Sequence, residues 1–249
     1  LGLGHLLNIH PPLAGQILSM AGVGGGAAGG EKQGGGGNNQ DGFHRRSINR
    51  IAARASLLQT FSSVHDEFQT LQGKLLLDGG SLSGSFFNRT VVLICQHSSD
   101  GAFGLVLNRG AERTVGEAIT EDLPERIGEQ DLWVGGPVQP AALSYLHTDD
   151  YLPDANVFPN LNLDHSLEDL VELGNSFSSS QKVRVFTGYS GWGSGQLEDE
   201  MKRKAWVTHT ATIEHVFEQS PEKLWRTIMR EMGGVNRLMS DAPDDLSWN

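Results

Sequence analysis

The chain is poor in cysteine and in long apolar stretches. Cys95 is the one cysteine in 249 residues, so no disulfide can form within the chain, which favours a reducing compartment. The longest clear apolar run, residues 91–95, is far shorter than the roughly 20 residues that a membrane-spanning helix needs. No basic stretch precedes the weakly apolar beginning of the sequence, which argues against a secretory signal. We therefore expect a cytoplasmic protein without a membrane partner.

Positive charge is scarce over most of the chain. Residues 1–65 carry five Lys/Arg against two Asp/Glu, whereas residues 66–249 carry 14 against 28 and thus a net charge of −14. A globular part with this charge repels phosphate backbones. We therefore expect no direct nucleic-acid binding by this part of the chain.

Residues 22–42 have few side chains that could be buried. Eleven of these 21 residues are glycine, and Val23 is the one large aliphatic residue. Such a segment loses much backbone entropy on ordering and gains little apolar burial in return. We predict that residues 1–42 form a disordered, Gly-rich extension.

Residues 43–69 begin with a basic amphipathic pattern. Ile48, Ile51, Ala55 and Leu58 fall at helical spacing, and residues 43–64 are rich in Arg and Ser without any acid. Three interpretations fit this pattern: an organellar transit segment, a basic arm for an anionic partner, or a surface helix that docks on the domain. The first would place the protein in an organelle instead of the cytoplasm.

Residues 70–234 have the pattern of a compact α+β domain. The runs 90–96 and 102–108 flank turn residues that end in Asp100-Gly101, which predicts a β-hairpin. Further strands are expected at residues 132–136, 142–147, 182–187, 205–208 and 211–217. Helices are inserted irregularly, without a βαβ rhythm, so a mostly antiparallel sheet is favoured over a doubly wound one.

Helix boundaries in this domain are marked by capping residues. Thr114 and Glu117 form a capping box, and Ser166 precedes a helix that we expect to stop at Gly174. Another helix is expected to begin near residue 196. The final helix is predicted from Ser220-Pro221 to Gly233, and the acidic tail at 235–249 is expected to be loose.

Sequence motifs for familiar chemistry are incomplete. Gly188-Tyr189-Ser190 begins a nucleophile elbow, but Trp192 stands where the last glycine is needed. Gly73-Lys74 lacks the remaining residues of a Walker A loop. These departures predict no catalytic residue and no cofactor.

Metal ligands are too few and too widely spaced to predict a site. Cys95 and His97 share one face of a strand, and His147 and His209 could join them only through folding. No Cys-x-x-Cys or His-x-x-x-His spacing supports such a cluster. We therefore predict no metal site, with Cys95 in the core and His97 capping the turn that follows.

The stretch GYSGWGSGQLEDE, residues 188–200, combines glycines, two large rings and a helix start. The rings could fill one end of the sheet's core, or form the rim of a binding site with Gln196 and Glu198 as polar contacts. Tyr189 continues a buried strand face and is predicted to be core. Trp192 lies beyond the expected strand end, so we predict a partly exposed rim residue.

Several blocks of the sequence resemble the YqgE/AlgH family. They are GKLLL (73–77), FNRTVVLICQH (87–97), DGAFGLVLNR (100–109), VGGPV (134–138), LH (146–147) and the stretch at 188–200. The resemblance covers residues 70–234 and implies an α+β domain whose sheet folds into a pseudo-barrel. Members occur in bacteria and some plastid-bearing organisms, and are labelled transcriptional regulators or have no assigned function. This chain departs from the family at Asp78-Gly79-Gly80-Ser81, where an Ala-x-Pro-type segment is usual.

The resemblance and the missing catalytic motifs favour a non-enzymatic binding or regulatory module whose partner is a protein or a small ligand. Candidate binding residues are Asn88, Arg89, His97, Asp100, Asn108, Arg109, Tyr189, Trp192, Gln196 and Glu198. The alternative is an enzyme with a pocket near His97, Asp100 and Tyr189. A direct DNA-binding regulator is a third hypothesis, and the net charge of −14 argues against it.

Overall fold

The computed structural model of the protein describes residues 68–148, 155–176, 178 and 180–242. The expected disordered extension, the basic segment up to residue 67 and residues 243–249 of the tail lie outside these ranges. The described residues from Thr70 onward belong to one compact unit of α+β architecture, which confirms the predicted fold class. The division of the whole chain into an extension, a basic segment, a domain and a tail stays a prediction.

The described residues form nine strands and seven helices, joined by turns and loops. The strands are β1 Lys74–Asp78, β2 Val91–Ser98, β3 Gly101–Val106, β4 Gly110–Thr114, β5 Asp131–Val134, β6 Val138–His147, β7 Asn162–Asp164, β8 Val183–Gly193 and β9 Trp206–Thr210. The helices are α1 Val115–Ala118, α2 Glu125–Gly128, α3 Leu167–Ser176, α4 Gln196–Lys202, α5 Ile213–Phe217, α6 Pro221–Met232 and α7 Gly234–Ser240.

The long strand β8 joins the two halves of the sheet. Its first half pairs in parallel with β5 and antiparallel with β6, and its second half pairs antiparallel with β3. From β3 the order continues through β2 and β1 to β9, while β4 lies outside β5 and β7 outside β6. Among the described strands this order does not close on itself, so the expected pseudo-barrel describes the sheet only loosely.

Two clusters of buried side chains lie on the two halves of the sheet. The tryptophan cluster consists of Leu76, Phe87, Val92, Ile94, Ala102, Val106, Trp192, Leu197 and Trp206. The aliphatic cluster consists of Val115, Ile127, Leu132, Tyr145, Leu170, Val183 and Val185. Helices α1, α2 and α3 each contribute a residue to the aliphatic cluster, whereas α4 is the helix that contributes to the tryptophan cluster.

Most features that depend on neighbouring residues agree with their prediction from the sequence. The hairpin of β2 and β3 is confirmed, as is the capping box: Glu117 N donates to Thr114 Oγ1, and Thr114 N donates to Glu117 Oε2 at 2.8 Å. The helix after Ser166 is also confirmed, but its predicted end at Gly174 is wrong, because α3 continues to Ser176. A β-carbon at Gly174 would lie 2.6 Å from Ile127 Cγ1, so this glycine permits close packing instead of ending the helix.

The C-terminal part differs more from expectation. The strand predicted at 211–217 is wrong: Thr212 accepts a hydrogen bond from His215 N at 3.2 Å and caps helix α5. The helix from Pro221 to Met232 is confirmed. The residues after it, expected to be loose, begin with helix α7, whose N-cap Gly233 and first residue Gly234 both have positive φ.

Candidate functional site

The stretch at 188–200 is mostly strand, because β8 continues to Gly193 instead of ending at residue 187. Tyr189 and Trp192 therefore point to opposite faces of the sheet. Tyr189 stacks on Phe103 with ring centroids 4.9 Å apart and is 8% exposed, which confirms its predicted core position. Trp192 is 3% exposed, so the prediction of a partly exposed rim residue is wrong.

Gly104 makes room for the Trp192 ring on the neighbouring strand. A β-carbon at this position would lie 2.9 Å from the Leu93 carbonyl oxygen and 3.3 Å from Trp192 Cζ3. Side chains therefore cannot enter this space without displacing the strand or the ring. The glycine that admits the indole lies on β3, outside the glycine-rich stretch itself.

Glu200 connects the two tryptophans of the cluster. Its Oε2 accepts hydrogen bonds from Trp192 Nε1 at 2.9 Å and from Trp206 Nε1 at 2.8 Å. Its Oε1 accepts from Gln196 Nε2 at 3.1 Å, one helical turn earlier on α4. Gln196 Oε1 in turn accepts from Gly193 N at 3.1 Å, so the helix start is tied to the end of β8. Two aromatic walls and a helix are thus held by one carboxylate.

A cavity of about 290 Å³ lies against this arrangement. Trp206 forms edge-to-face contacts with Phe87 and with Trp192, at centroid distances of 5.6 and 6.2 Å. The cavity is lined by Ser81, Leu82, Ser83, Ser85, Phe87, Pro137, Val138, Gly191, Trp192, Gln196, Glu200, Arg203, Ala205 and Trp206. Aromatic and aliphatic groups with a few polar ones are the usual lining of a small-molecule site.

The loop after β1 forms one wall of the cavity, and a buried carboxylate holds it. Asp78 is 1% exposed. Its Oδ1 accepts from Gly80 N at 2.8 Å and Leu82 N at 3.3 Å, and its Oδ2 from Arg89 N at 2.8 Å. The departure from the family pattern at residues 78–81 therefore falls on the anchor and the wall of this cavity, because Ser81 is a lining residue.

Comparisons with known proteins assign the chain to a family. Residues 75–237 match the AlgH-like family, DUF179. The chain belongs to this family. UPF0301 proteins from Chlorobium limicola and Chlamydia abortus are 37% and 33% identical to it, over 72% of this chain and 96% and 95% of theirs. The resemblance found in the sequence blocks is thereby confirmed.

Solved structures agree with the assignment to the AlgH-like family. The solution structure of the AlgH protein from Pseudomonas aeruginosa has a TM-score of 0.57 and 25% identity, and covers 74% of this chain and 100% of that one. A crystal structure from Corynebacterium diphtheriae has a TM-score of 0.60 at 23% identity, covering 75% and 97%, and shows the fold alone. Among the residues described for this AlgH-like chain, no helix has the length and apolarity to cross a membrane.

Four candidate residues of this AlgH-like chain do not line the cavity and instead connect two backbone segments: Asn88, Arg89, Asn108 and Arg109. Asn108 Oδ1 accepts from Val91 N, and its Nδ2 donates to the Arg89 carbonyl, both at 2.9 Å. Arg109 Nη2 donates to the Asn88 carbonyl at 2.6 Å. These bonds hold the turn before β2 against the end of β3, which is a structural arrangement.

His97, Asp100 and Glu198 are candidate residues that do not line the cavity. His97 Nδ1 accepts from Leu71 N at 2.8 Å, and Nε2 lies 2.9 Å from Glu198 Oε1. His97 therefore links the segment before β1 to helix α4. The prediction that it caps the turn after β2 is wrong. Asp100 is exposed in that turn, and Tyr189 lies on the opposite face of the sheet, so the residues of the enzyme hypothesis are not brought together.

Cys95 and His147 lie apart from the cavity. Burial raises the pKa of the Cys95 thiol, which is fully buried and donates to the Leu93 carbonyl at 3.7 Å. A thiol in this environment is an inert core residue. His147 Nε2 is 3.2 Å from Asp164 Oδ2 on the neighbouring strand.

Two lining residues, Trp192 and Gln196, were predicted as site residues from the sequence, and the others were not. Glu200 and Arg203 had a usable signal, since residues 196, 200 and 203 fall on one face of a helix that begins near 196. No signal in the sequence indicated that Trp206 and Phe87 line the cavity. They reach the cavity through the packing of elements that are distant in the sequence.

Proposed function

We propose that this protein is a binding module whose cavity beside Trp192 and Trp206 takes a small, mostly apolar ligand with an anionic group. The observation that carries the proposal is the pair of indoles joined by Glu200 beside an open cavity of about 290 Å³. This volume is at the lower end of the range for small-molecule sites. A ligand with one or two fused rings suits it.

The hydrogen bonds of the lining favour binding over catalysis. Both oxygens of Glu200 accept hydrogen bonds from other side chains. Ser85 Oγ donates to the Leu82 carbonyl at 2.7 Å and accepts from Phe87 N at 3.2 Å. Nucleophilic catalysis needs a hydroxyl or thiol next to a base, and no such hydrogen-bonded pair occurs among the described lining residues.

Arg203 is the residue that would select an anionic ligand. It is the one basic residue among the described lining residues and is exposed at the edge of the cavity. Its Nε donates to the Asp199 carbonyl at 3.2 Å. Its two terminal amino groups make no hydrogen bond to the described residues and can bind a carboxylate with both donors.

A matched series of naphthalene compounds tests both parts of the proposal. We expect calorimetric titration of the full chain to detect binding of 2-naphthoate, and binding at least tenfold weaker for naphthalene-2-carboxamide and 2-naphthylmethylamine. Arg203→Gln should remove the preference for the acid, because the charge-assisted hydrogen bonds are lost. Ser83→Trp should abolish binding of all three compounds by filling the cavity.

Arg237→Gln is the matched control, because this exposed arginine on α7 is not a lining residue. It should bind 2-naphthoate as the native protein does. Undiminished binding by Ser83→Trp would place the ligand elsewhere and overturn the proposal. Preferential binding of the amine, unaffected by Arg203→Gln, would mean that Glu200 selects a cation instead.

The proposed module is regulatory in character, because it holds a ligand without a reacting group. Residues 66–249 carry a net charge of −14, which favours a small ligand or a protein over nucleic acid as the partner.

A further inference from the structure

Three potential metal ligands converge at the edge of the sheet, away from the cavity described above. His209 lies on β9, His215 on α5 and Glu231 near the end of α6. One ligand atom from each residue lies within 4.8 Å of the other two. The imidazole rings of His209 and His215 contact edge to face, with centroids 5.4 Å apart. Separate elements thus bring two nitrogen ligands and one oxygen ligand to the same place.

His215 is a buried polar group without a hydrogen bond to either ring nitrogen among the described residues. The residue is 8% exposed, and its Nδ1 is enclosed without a partner. Its Nε2 is 4.0 Å from Glu231 Oε2, which is too long for a hydrogen bond. Burying an unpaired polar group destabilises a fold, so such a group needs an explanation. A cation between Nε2 and the carboxylate would give Nε2 the partner that it lacks, whereas Nδ1 stays without one among the described residues.

The chemistry and exposure of the three side chains suit metal binding. A neutral imidazole has the free electron pair that a metal ion requires. Glu231 supplies negative charge, and its side chain is 52% exposed, so an ion can reach the site from solvent.

We propose that His209, His215 and Glu231 form a binding site for a divalent transition-metal ion of the zinc type. Two imidazoles and one carboxylate are ligands that Zn²⁺ accepts in tetrahedral geometry, whereas Ca²⁺ and Mg²⁺ prefer oxygen alone. A tetrahedral ion with bonds of about 2.0–2.1 Å places its ligand atoms about 3.4 Å apart. His215 Nε2 and Glu231 Oε2 are 4.0 Å apart, and the exposed Glu231 side chain can bring these two atoms to this spacing by a change of rotamer.

The site would connect three elements of the C-terminal part. Strand β9 is an edge strand of the sheet, and α5 and α6 follow it in the chain. An ion held by all three should therefore stabilise the folded state, since metal binding to the native form raises its stability by mass action. Three protein ligands leave the fourth position to water or to another small ligand.

Titration with ZnCl₂ tests the site in the full chain after treatment with a chelator and removal of the chelator. We expect one Zn²⁺ to bind through these residues and to raise the Tm by several degrees. Glu231→Gln and His209→Gln should each weaken this binding at least tenfold and remove most of the Tm increase. Both residues are at least partly exposed, so these variants keep the fold better than a change at His215.

Glu222→Gln and His147→Gln are the matched controls, because Glu222 is an exposed acid on the same helix and His147 is a histidine whose carboxylate partner is Asp164. Both should bind Zn²⁺ as the native protein does. Zn²⁺ affinity and Tm increase that are the same in Glu231→Gln and His209→Gln as in the native chain would overturn the proposal. The absence of any Zn²⁺-dependent Tm increase in the native chain would do so too.

Discussion

The tryptophan cluster and the aliphatic cluster lie on the two halves of the same strand, β8, but their coverings differ. Helices α1, α2 and α3 bring Val115, Ile127 and Leu170 onto the aliphatic half, and all three side chains are fully buried. The tryptophan half is covered by α4, which has seven residues, and by the loop after β1. One long strand thus supports a core covered by three helices at one end and, at the other, a core beside the cavity of about 290 Å³.

Tryptophan is used differently in the two halves. In the aliphatic half, the guanidinium of Arg184 lies 4.3 Å from the centre of the Trp133 ring, and Nη1 donates to the Leu107 carbonyl at 3.1 Å. Burial lowers the pKa of Arg184 to about 10. In the tryptophan half, the indole N–H groups bind a carboxylate and leave ring surface facing the cavity. The first arrangement satisfies a buried cation, while the second keeps a binding surface in place.

Trp192→Ala should have the largest effect on stability, because its ring is part of the core as well as of the cavity wall. We expect a loss of about 3–5 kcal/mol in the free energy of unfolding, the usual range for removing a large buried aromatic. Urea denaturation of the two proteins measures the difference. Trp192→Phe should lose less, since it keeps most of the ring. A loss of only about 1 kcal/mol for Trp192→Ala would show that the indole is a surface group.

Leu170→Ala is the counterpart in the aliphatic half. The side chain is fully buried, so we expect a loss of about 2–5 kcal/mol in the free energy of unfolding. Binding of 2-naphthoate should nevertheless stay as in the native protein, because Leu170 does not line the cavity. The same denaturation experiment with a parallel titration separates the two properties. Weakened binding in this variant would mean that β8 couples the two halves.

The sequence predicted those parts of the fold that are coded by neighbouring residues. Asp100-Gly101 fixes the hairpin turn, and Thr114 with Glu117 fixes a helix start, because each feature depends on bonds within a few residues. Residues 211–217 were misassigned because their β-branched residues resemble a strand, whereas the cap at Thr212 decides for a helix.

The candidate site was predicted only in part, for a physical reason. Trp192 and Gln196 were recognised within one stretch, but the exposure of Trp192 was misjudged because β8 is longer than its apolar pattern. Phe87 and Trp206 meet Trp192 only through the pairing and packing of distant strands. Such contacts leave no periodic signal in a single sequence. The order of strands and helices predicted the α+β class and the family resemblance implied the pseudo-barrel, but neither defined the cavity.

Glu200→Gln tests whether the carboxylate holds the tryptophan half together. A glutamine has one acceptor oxygen, so at least one of the hydrogen bonds from Trp192, Trp206 and Gln196 is lost. We expect a loss of about 1–3 kcal/mol in the free energy of unfolding, as for a partly buried donor without its acceptor. Glu172→Gln, at an exposed position of α3, should change the free energy by no more than about 0.5 kcal/mol. Equal effects of the two variants would contradict this role of Glu200.

The helix starts provide the finest comparison between the two halves. Helix α1 has the Thr114–Glu117 capping box, whereas α4 begins after Gly195, at φ 73°, without a side-chain cap. Thr114→Ala removes the acceptor for Glu117 N, so we expect a loss of about 1 kcal/mol, the typical value for an N-cap residue. Gly195→Ala should cost about 1–2 kcal/mol through the left-handed backbone. Urea denaturation gives both values. If Thr114→Ala has no effect, then burial of Val115 holds α1 in place and the box is incidental.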